Sequence, residues 1–216
     1  KKPFKYIQVS TDEVYGSLGS TGSFNECSRY EPNSPYSASK ASSDHLCRAW
    51  HKTYGLPTIV TNCSNNYGPY QDKEKFIPMI ISNAIHHKPI TIYGNGEQIR
   101  DWLHVEDHVI GLQKVITIAE PGSYYMFGGG NELTNIDLTK LICRLLDEIK
   151  PQAKEPNFTY LDLIKFVEDR LGHDYRYAVN SLKAKRELSW VPTVEFKIGL
   201  RETINYYLDN ILGVYS

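Results

Sequence analysis

Paired cysteines are missing from this 216-residue sequence. Its four cysteines, Cys27, Cys47, Cys63 and Cys143, lie far apart, and no two of them have Cys-x-x-Cys spacing. The sequence therefore gives no sign of a disulfide framework, a zinc ribbon or a redox motif. The pattern favours reduced thiols, buried in a cytoplasmic protein.

An excess of charge of one sign is missing too. The 24 Lys and Arg residues nearly balance the 25 Asp and Glu residues, which leaves a net charge of −1. This balance gives no electrostatic reason to expect nucleic acid or an anionic membrane as a partner. No apolar run approaches the roughly 20 residues that a membrane-spanning helix needs. A hydrophobic content of 41% is instead typical of a globular chain with a sizeable core.

The start of the sequence lacks both a methionine and a secretory signal. A strand pattern, "KYIQVS", follows within the first ten residues. We expect from these two features that the sequence is a fragment of a longer protein. A truncated chain could have lost a secretory signal.

Strand and helix patterns alternate along the chain. Apolar runs such as "KYIQVS" and "PTIVTNC" predict buried strands, whereas "SPYSASKASSDHLCRAWHKTYG" predicts a helix that begins at Ser34 and Pro35 and stops at Gly55. We also predict helices at "KFIPMIISNAIHH", interrupted early by Pro78, at "NIDLTKLICRLLDEI" and at "LIKFVEDRLG". Loops are predicted at "NNYGPYQ" and "KPQAKEPN". Such alternation indicates an α/β fold around a parallel sheet.

Tyr36 and Lys40 are spaced Tyr-x-x-x-Lys, which places them on one face of the predicted helix. A nearby cation favours a phenolate and can lower the pKa of a tyrosine by roughly 1–3 units, which would suit Tyr36 to act as a base. Taken alone, the spacing more often marks a surface pair. Here a strand ending in Ser10 and Thr11 precedes it, and sites in parallel sheets lie at the carboxyl ends of strands. Together these residues predict a site that oxidises a hydroxyl with a nicotinamide cofactor.

Two adjacent carboxylates, Asp12 and Glu13, directly follow that first strand in "VSTDEVYG". Neighbouring carboxyl groups do not both ionise easily, so one of them tends to keep its proton. The pair is therefore suited to separate acid and base roles. The alternative is a solvated loop with two acids, which would be the better interpretation without Tyr36 and Lys40 nearby.

Five stretches together resemble one family. "STDEVYG", "YSASK", "NCSNNYGPY", "IYGNGEQIRDWLHVEDH" and "DRLGHDYRYA" occur in the order typical of the extended short-chain dehydrogenase/reductase superfamily. More closely, they resemble the dTDP-glucose 4,6-dehydratases, which are lyases of deoxysugar and rhamnose biosynthesis. The resemblance covers essentially the whole chain. It implies a partial Rossmann-type doubly wound parallel sheet plus a smaller α/β substrate-binding domain, with NAD as cofactor, dTDP-glucose as substrate, and a cytoplasmic homodimer.

The resemblance also implies roles for five catalytic residues. Tyr36 would take the proton of the sugar's 4-hydroxyl as NAD accepts hydride from C4, while Thr11 bonds the same oxygen. Lys40 would support the phenolate and the nicotinamide ribose. Glu13 would then remove the C5 proton and Asp12 would protonate the departing 6-hydroxyl, before hydride returns to C6.

Binding positions follow from the same resemblance. On the cofactor side they are Ser10, Tyr36, Lys40 and Asn66. On the nucleotide-sugar side they are Asn65, Lys75, Tyr93, Arg100, Asn135, Arg170 and His173. Arg170 and His173 are the expected pyrophosphate contacts, since a guanidinium presents a planar fork of donors to phosphate oxygens. For Arg170 taken alone, a surface ion pair remains the simpler interpretation.

The family's Gly-rich dinucleotide fingerprint and its acidic ribose-binding residue are not found in the sequence. We therefore expect the first third of the fold to lie outside this chain. Residues 1–72 would then be the C-terminal part of the NAD-binding Rossmann domain. Residues 73–216 would be mainly the nucleotide-sugar-binding domain, with some segments returning to the Rossmann domain.

Two other functions stay open. A nucleotide-sugar epimerase or decarboxylase of the same fold would share Tyr36 and Lys40 but would not need the Asp-Glu pair, so Asp12 discriminates. A catalytically silent binding or assembly piece would result if the missing part is indispensable.

His104 and His108 enclose Glu106, but their order differs from the His-Glu-x-x-His of zincins. We therefore predict no metal site here. The stretch is instead predicted to be a strand-to-helix junction that Asp107 caps.

Overall fold

The structure is a computed structural model that describes residues 4–151 and 157–211. Most of the loop predicted at "KPQAKEPN" falls on residues 152–156 and lies outside the described residues. The chain forms two compact units. Unit 1 contains the chain up to Asn66, Arg100–Glu132 and Asp174–Thr193, and unit 2 contains Tyr67–Ile99, Leu133–His173 and the chain from Val194 onward. The assignment of a cofactor domain and a sugar domain, with a boundary at residue 72, stays a prediction.

Strands and helices alternate through the described residues. The strands are β1 (Tyr6–Thr11), β2 (Thr58–Cys63), β3 (Asn65–Tyr67), β4 (Ile90–Tyr93), β5 (Ile99–His104), β6 (Tyr124–Phe127), β7 (Glu132–Thr134) and β8 (Ile164–Val167). The helices are α1 (Pro35–Tyr54), α2 (Phe76–Ile85), α3 (Val105–Ile118), α4 (Asn135–Ile149), α5 (Leu182–Leu188) and α6 (Phe196–Ile211). Short 3-10 helices span Asp12–Tyr15 and Tyr160–Leu163. The predicted α/β class is confirmed.

A parallel sheet with the order β1-β2-β6 is the centre of unit 1. Thr11 lies beside Cys63, and Cys63 lies beside Phe127 in the strand pairing. The carboxyl ends of the three strands therefore meet at one edge. The middle strand β2 is buried almost throughout, as expected for a parallel strand that helices cover. Trp190 and Phe127 pack edge-to-face in the core beside it.

Local sequence determines where α1 begins and ends. The backbone N–H of Ser37 donates to Ser34 Oγ over 3.1 Å, and that of Ser34 donates to Ser37 Oγ over 3.0 Å, which forms a reciprocal capping box. Pro35 occupies the first turn, where its missing N–H costs nothing. Gly55 ends the helix at a φ of 67°, a left-handed conformation that glycine adopts without a Cβ clash. The predicted helix is confirmed at both ends.

The second unit contains α2, α4, α6 and the parallel pair β4–β8. Ile77, Ile80 and Ile81 of α2 are fully buried. At roughly 1.5–3 kcal/mol for each fully buried aliphatic side chain, such residues supply much of the stability of this unit.

A further three-stranded sheet has the order β3-β5-β7. No helix in the described part of the chain is long and apolar enough to cross a membrane.

Three predictions of local structure are wrong. "LIKFVEDRLG" forms strand β8 and a following turn, because Ile164–Val167 pairs with β4 and its β-branched and aromatic residues suit a strand. Pro78 does not interrupt α2, since it lies in the first turn, where backbone N–H groups have no intrahelical partner. The predicted loop "NNYGPYQ" begins as strand β3.

The strand-to-helix junction predicted around His104 is confirmed, but its cap is different. His104 is the N-cap residue of α3, and its Nδ1 accepts from the backbone N–H of Glu106 over 3.4 Å. The carboxylate of Asp107 accepts instead from the backbone N–H and the hydroxyl of Thr193, over 2.9 and 2.8 Å. Asp107 thus anchors a distant loop and does not cap the helix.

Candidate active site

The acidic pair lies directly at the carboxyl end of β1. Thr11 caps the 3-10 helix that follows, and its Oγ1 accepts from the backbone N–H of Glu13 over 3.3 Å. This tight turn places Asp12 in the interior, with only 2% of its surface exposed, whereas Glu13 is half-buried. The two neighbours therefore occupy different environments.

The surroundings of Asp12 favour its protonated form. Burial raises the pKa of Asp12 to about 8, and the nearby charges of Glu13 and Asp101 raise this pKa further. Arg100 and the Thr11 hydroxyl oppose the shift without cancelling it. The direction of this shift agrees with the expectation that one acid of the pair tends to keep its proton, and it favours Asp12 as that acid. Its catalytic role stays a prediction.

Tyr36 and Lys40 lie on α1 as the spacing predicts. Tyr36 is 53% exposed, and Lys40 Nζ donates to the carbonyl oxygen of Val9 over 2.7 Å. The expectation that Lys40 lowers the pKa of Tyr36 is wrong. Burial raises the pKa of Tyr36, and the charges of Glu13, Cys63 and Asp12 add to this rise. The same charges show that the phenol and the acidic pair are electrostatic neighbours.

Arg100 joins this group from β5. Its guanidinium is buried, donates through Nη2 to the carbonyl oxygen of Asp174 over 3.0 Å, and lies 4.3 Å above the ring of Tyr177. Its charge also favours ionisation of Asp12, so it lies within electrostatic range of the pair. The structure therefore brings Thr11, Asp12, Glu13, Tyr36 and Arg100 together within unit 1.

Asn66, just after β2, has a fixed amide. Its Nδ2 donates to the carbonyl oxygen of Ser64 over 2.9 Å, and its Oδ1 lies 2.8 Å from His108 Nδ1. This geometry makes Nδ1 of His108 the protonated nitrogen of a neutral ring, in agreement with burial, which lowers the pKa of His108 to about 4. Asn65 is half-buried beside it, and Ser10 on β1 is buried.

The other predicted binding residues belong to unit 2. Tyr93 ends β4, and Gly94 after it donates its N–H to the carbonyl oxygen of Val167 over 3.0 Å. Gly94 has a φ of 60°, and a Cβ there would approach Asp169 Oδ2 to 2.8 Å, so any other residue would be strained in this turn. Tyr93 is thereby held close to the segment that contains Arg170.

Asp169 is the centre of this corner of unit 2. It accepts from Gln98 Nε2 over 3.0 Å and from His173 Nδ1 over 2.7 Å, which holds the imidazole in place. Asn135, at the start of α4, donates its N–H to the carbonyl oxygen of Gln98 over 2.9 Å. Lys75 is exposed at the N-cap position of α2, and Arg170 is exposed.

Sequence reasoning missed two buried acids in unit 1. Asp101 accepts from the backbone N–H groups of Gly129 and Asn131, over 3.1 and 2.8 Å, and helps to keep Asp12 protonated. Asp44 is buried in α1. The available signals were position alone, since Asp101 follows Arg100 and Asp44 lies one helical turn after Lys40.

The described residues contain no disulfide and no cluster of metal ligands. The four cysteines are free thiols. Across residues 4–151 and 157–211, no cluster of three or more His, Cys, Asp or Glu side chains is arranged to hold a metal ion. The chemistry available at the strand edge is that of a protonated carboxyl, a neighbouring carboxyl, a phenol and an ammonium group.

Known proteins similar to this chain were identified by sequence. The family model described as GDP-mannose 4,6 dehydratase matches residues 1–203. The dTDP-glucose 4,6-dehydratase of Neisseria meningitidis serogroup B is 57% identical over 208 residues, which is 96% of this chain. The chain spans 59% of the length of that relative.

Solved structures of dTDP-glucose 4,6-dehydratases are also similar to this chain. The dTDP-glucose 4,6-dehydratase of Bacillus anthracis, in complex with NAD, matches 94% of this chain and 61% of its own chain, at 48% identity and a TM-score of 0.84. The enzyme of the same name from Streptomyces venezuelae, with NAD and dTDP bound, matches 94% of this chain and 59% of its own, at 44% identity and a TM-score of 0.85.

Proposed function

This chain belongs to the GDP-mannose 4,6 dehydratase family, and from that membership we propose that its full-length protein dehydrates dTDP-glucose to dTDP-4-keto-6-deoxyglucose. The observation that carries the proposal is the unequal acidic pair. Asp12 is buried, which raises its pKa to about 8, while Glu13 beside it is half-buried. Loss of water across C5–C6 needs an acid for the departing hydroxyl and a base for the C5 proton at the same time.

The roles of the pair follow from their environments. Asp12, with its raised pKa, donates the proton to the departing 6-hydroxyl. Glu13 takes the proton from C5. That proton is acidic only when C4 is a ketone, so oxidation at C4 has to come first.

Tyr36, Lys40 and Thr11 serve the oxidation step. Tyr36 accepts the 4-hydroxyl proton in its phenolate form, and the Thr11 hydroxyl bonds the same oxygen. NAD, when bound, supplies the hydride chemistry that oxidises C4 and later reduces C6. The residues present fit its nicotinamide end, since Tyr36 is exposed and Lys40 holds its ammonium group at the same strand edge. Ser10 and Asn66 are the further cofactor contacts that we propose.

The family resemblance supports two sets of nucleotide-sugar contacts. We propose Arg100 and Asn65 as the first set, and Lys75, Tyr93, Asn135, Arg170 and His173 as the second. The hydrogen bond between Asp169 and His173 supports a fixed imidazole for the proposed pyrophosphate contact. The names of the similar enzymes support thymidine as the base.

An epimerase of the same fold is the second candidate. It would use Tyr36 and Lys40 in the same way, but it would have no use for a buried, protonated carboxyl beside Glu13. The geometry of Asp12 therefore favours the dehydratase. A homodimer, a cytoplasmic location and a role in rhamnose or another deoxysugar pathway are proposals that rest on the family resemblance.

The test is turnover of dTDP-glucose by the full-length protein, with UDP-glucose and GDP-mannose as comparison substrates. We expect a product lighter by one water, with a methyl signal at C6 in its NMR spectrum and no net consumption of NAD. A product of unchanged mass with an inverted stereocentre would identify an epimerase instead. Turnover by the full-length protein but not by this chain alone, with NAD present in both assays, would identify the chain as the silent binding piece.

A further inference from the structure

Asp44 is a buried carboxylate on the catalytic face of α1. It follows Tyr36 by two helical turns and Lys40 by one turn, so the three side chains share one face of the helix. Only 1% of its surface is exposed. None of the roles proposed above involves it.

The carboxylate is held by donors from two other parts of the chain. Its Oδ2 accepts from the hydroxyl of Tyr30 over 3.0 Å and from Nδ2 of Asn62 over 3.2 Å. Tyr30 lies in the segment before α1, whereas Asn62 lies near the end of β2. One oxygen atom thus connects the helix to the middle strand of the sheet.

Asn62 extends the connection to the acidic pair. Its Nδ2 also donates to the carbonyl oxygen of Thr11 over 3.0 Å, and its Oδ1 accepts from the hydroxyl of Tyr15 over 3.2 Å. Thr11 immediately precedes Asp12, and Tyr15 ends the 3-10 helix that contains both acids. The buried amide therefore contacts that short helix on both sides.

A buried carboxylate is costly unless hydrogen bonds satisfy it, and apolar residues of similar volume are often as stable. Stability alone is therefore a weak reason for a carboxylate at this position. What these hydrogen bonds do supply is a defined distance between α1 and the end of β1. Catalytic groups need that definition, since a misplacement of about 1 Å can cost about a hundredfold in rate.

We propose that Asp44 is a positioning residue, which through Asn62 holds the helix of Tyr36 and Lys40 in register with the Thr11-Asp12-Glu13 turn. The proposal rests on the proposed function for its effect on turnover. The claim that Asp44 holds the helix in register with this turn does not depend on which reaction the protein catalyses.

The kinetic test compares three variants of the full-length protein. Asp44→Ala removes the acceptor, and we expect kcat for dTDP-glucose to fall about a hundredfold with KM unchanged. Asp44→Asn keeps an acceptor oxygen for Tyr30 and Asn62, so its kcat should stay within about tenfold of wild type. Cys47→Ala, at a buried position further along α1, is the matched control and should turn over normally. A wild-type kcat in Asp44→Ala, or an equal loss in Asp44→Asn, would overturn the positioning role.

Hydrogen exchange tests the same connection without the reaction. Asp44→Ala should speed amide exchange across Asp12–Tyr15, whereas Cys47→Ala should leave this segment unchanged. If Asp44→Ala does not fold, Asp44→Ser replaces it, since its hydroxyl is too short to reach Asn62. Unchanged exchange at Asp12–Tyr15 would overturn the proposal. Failure of the wild-type protein to dehydrate dTDP-glucose would remove only the proposed function, and the exchange comparison would still decide the role of Asp44.

Discussion

Lys40 donates its Nζ proton to the carbonyl oxygen of Val9 over 2.7 Å, so the ammonium group of the Tyr-x-x-x-Lys motif is bonded to β1. The bond joins the middle of α1 to the strand that ends at the acidic pair. The pKa of Tyr36 on the same helix is raised by burial and by nearby negative charge.

Tyr36→Phe should block the first step of the proposed reaction. Phenylalanine keeps the ring but has no hydroxyl to accept the 4-hydroxyl proton, and loss of a general base typically costs about 10²–10⁴-fold. Single-turnover absorbance at the NADH band should show no transient in the full-length protein. Tyr54→Phe, an exposed position on the same helix, is the control. A normal transient in Tyr36→Phe would mean that another group is the base.

Asp12→Asn and Glu13→Gln should fail after oxidation. Each variant should still form NADH once per site and then stall, because elimination needs both an acid and a base. They should also differ from each other. Without Glu13, exchange of the C5 proton with deuterated solvent should nearly vanish, whereas without Asp12 some exchange continues.

Rapid-quench product analysis beside NADH absorbance checks both variants. Near-wild-type formation of the 4-keto-6-deoxy product by both would reduce the acidic pair to a solvated turn. The proposed dehydratase would then give way to the epimerase.

Asp12 should also make stability depend on pH. Its pKa is about 8 in the folded protein against 3.8 as the ordinary value, so between these values the folded state binds the extra proton. The contribution of this proton to the free energy of unfolding is complete below the ordinary pKa. It is lost as pH rises toward 8, by at most about 1.4 kcal/mol per pH unit. Urea unfolding of wild type and Asp12→Asn across this range measures it. The free energy of unfolding of Asp12→Asn should fall less steeply with pH than that of wild type. Parallel pH dependences in the two proteins would contradict a buried, protonated carboxyl at Asp12.

Arg100→Ala should weaken binding of the nucleotide sugar more than it slows the chemistry. Loss of a charge-assisted hydrogen bond typically costs about 1.5–3 kcal/mol, or roughly ten- to a hundredfold in affinity. Calorimetric titration of the full-length protein with dTDP measures the change. Arg29→Ala, exposed in the same unit, controls for the lost charge. An unchanged dissociation constant in Arg100→Ala would remove this residue from the site.

Glu132→Ala should destabilise unit 1. Glu132 accepts from Nε and Nη2 of Arg176 over 2.6 and 3.0 Å, and the Arg176 side chain is only 8% exposed. An unpaired, nearly buried guanidinium costs about 1–3 kcal/mol. Glu148→Ala is the matched control, because its partner Arg201 is exposed and such pairs contribute at most about 1 kcal/mol. Equal losses in urea unfolding would show that burial of Arg176 does not matter.

The sequence by itself determined the elements whose signals are local. Ser34 and Pro35 mark the start of α1 and Gly55 marks its end, so local residues predict the helix that contains Tyr36 and Lys40. The apolar run of β2 predicts a buried parallel strand for the same reason. β1 pairs with it in parallel, but the prediction that β1 is buried is wrong, because Tyr6 and Val9 are exposed. The family was also readable, because the order of its motifs does not depend on how the chain folds.

Pairing between distant segments was decided by the tertiary structure alone. Ile164–Val167 has a helical pattern in the sequence, yet it forms β8 because β4, far earlier in the chain, offers a parallel partner. Propensity is a weak prior against such a contact. Asp107 likewise bonds Thr193 and does not cap α3, which no local pattern predicts.

The site divides along the same line. Adjacency in the sequence was enough to predict that one acid of Asp12 and Glu13 tends to keep a proton, because neighbouring carboxylates repel each other in any conformation of the chain. Which acid keeps it depended on burial and on Asp101, a residue that only folding brings near. The direction of the pKa of Tyr36 depended on the same physics, because desolvation and the charges of distant groups are properties of the packed interior.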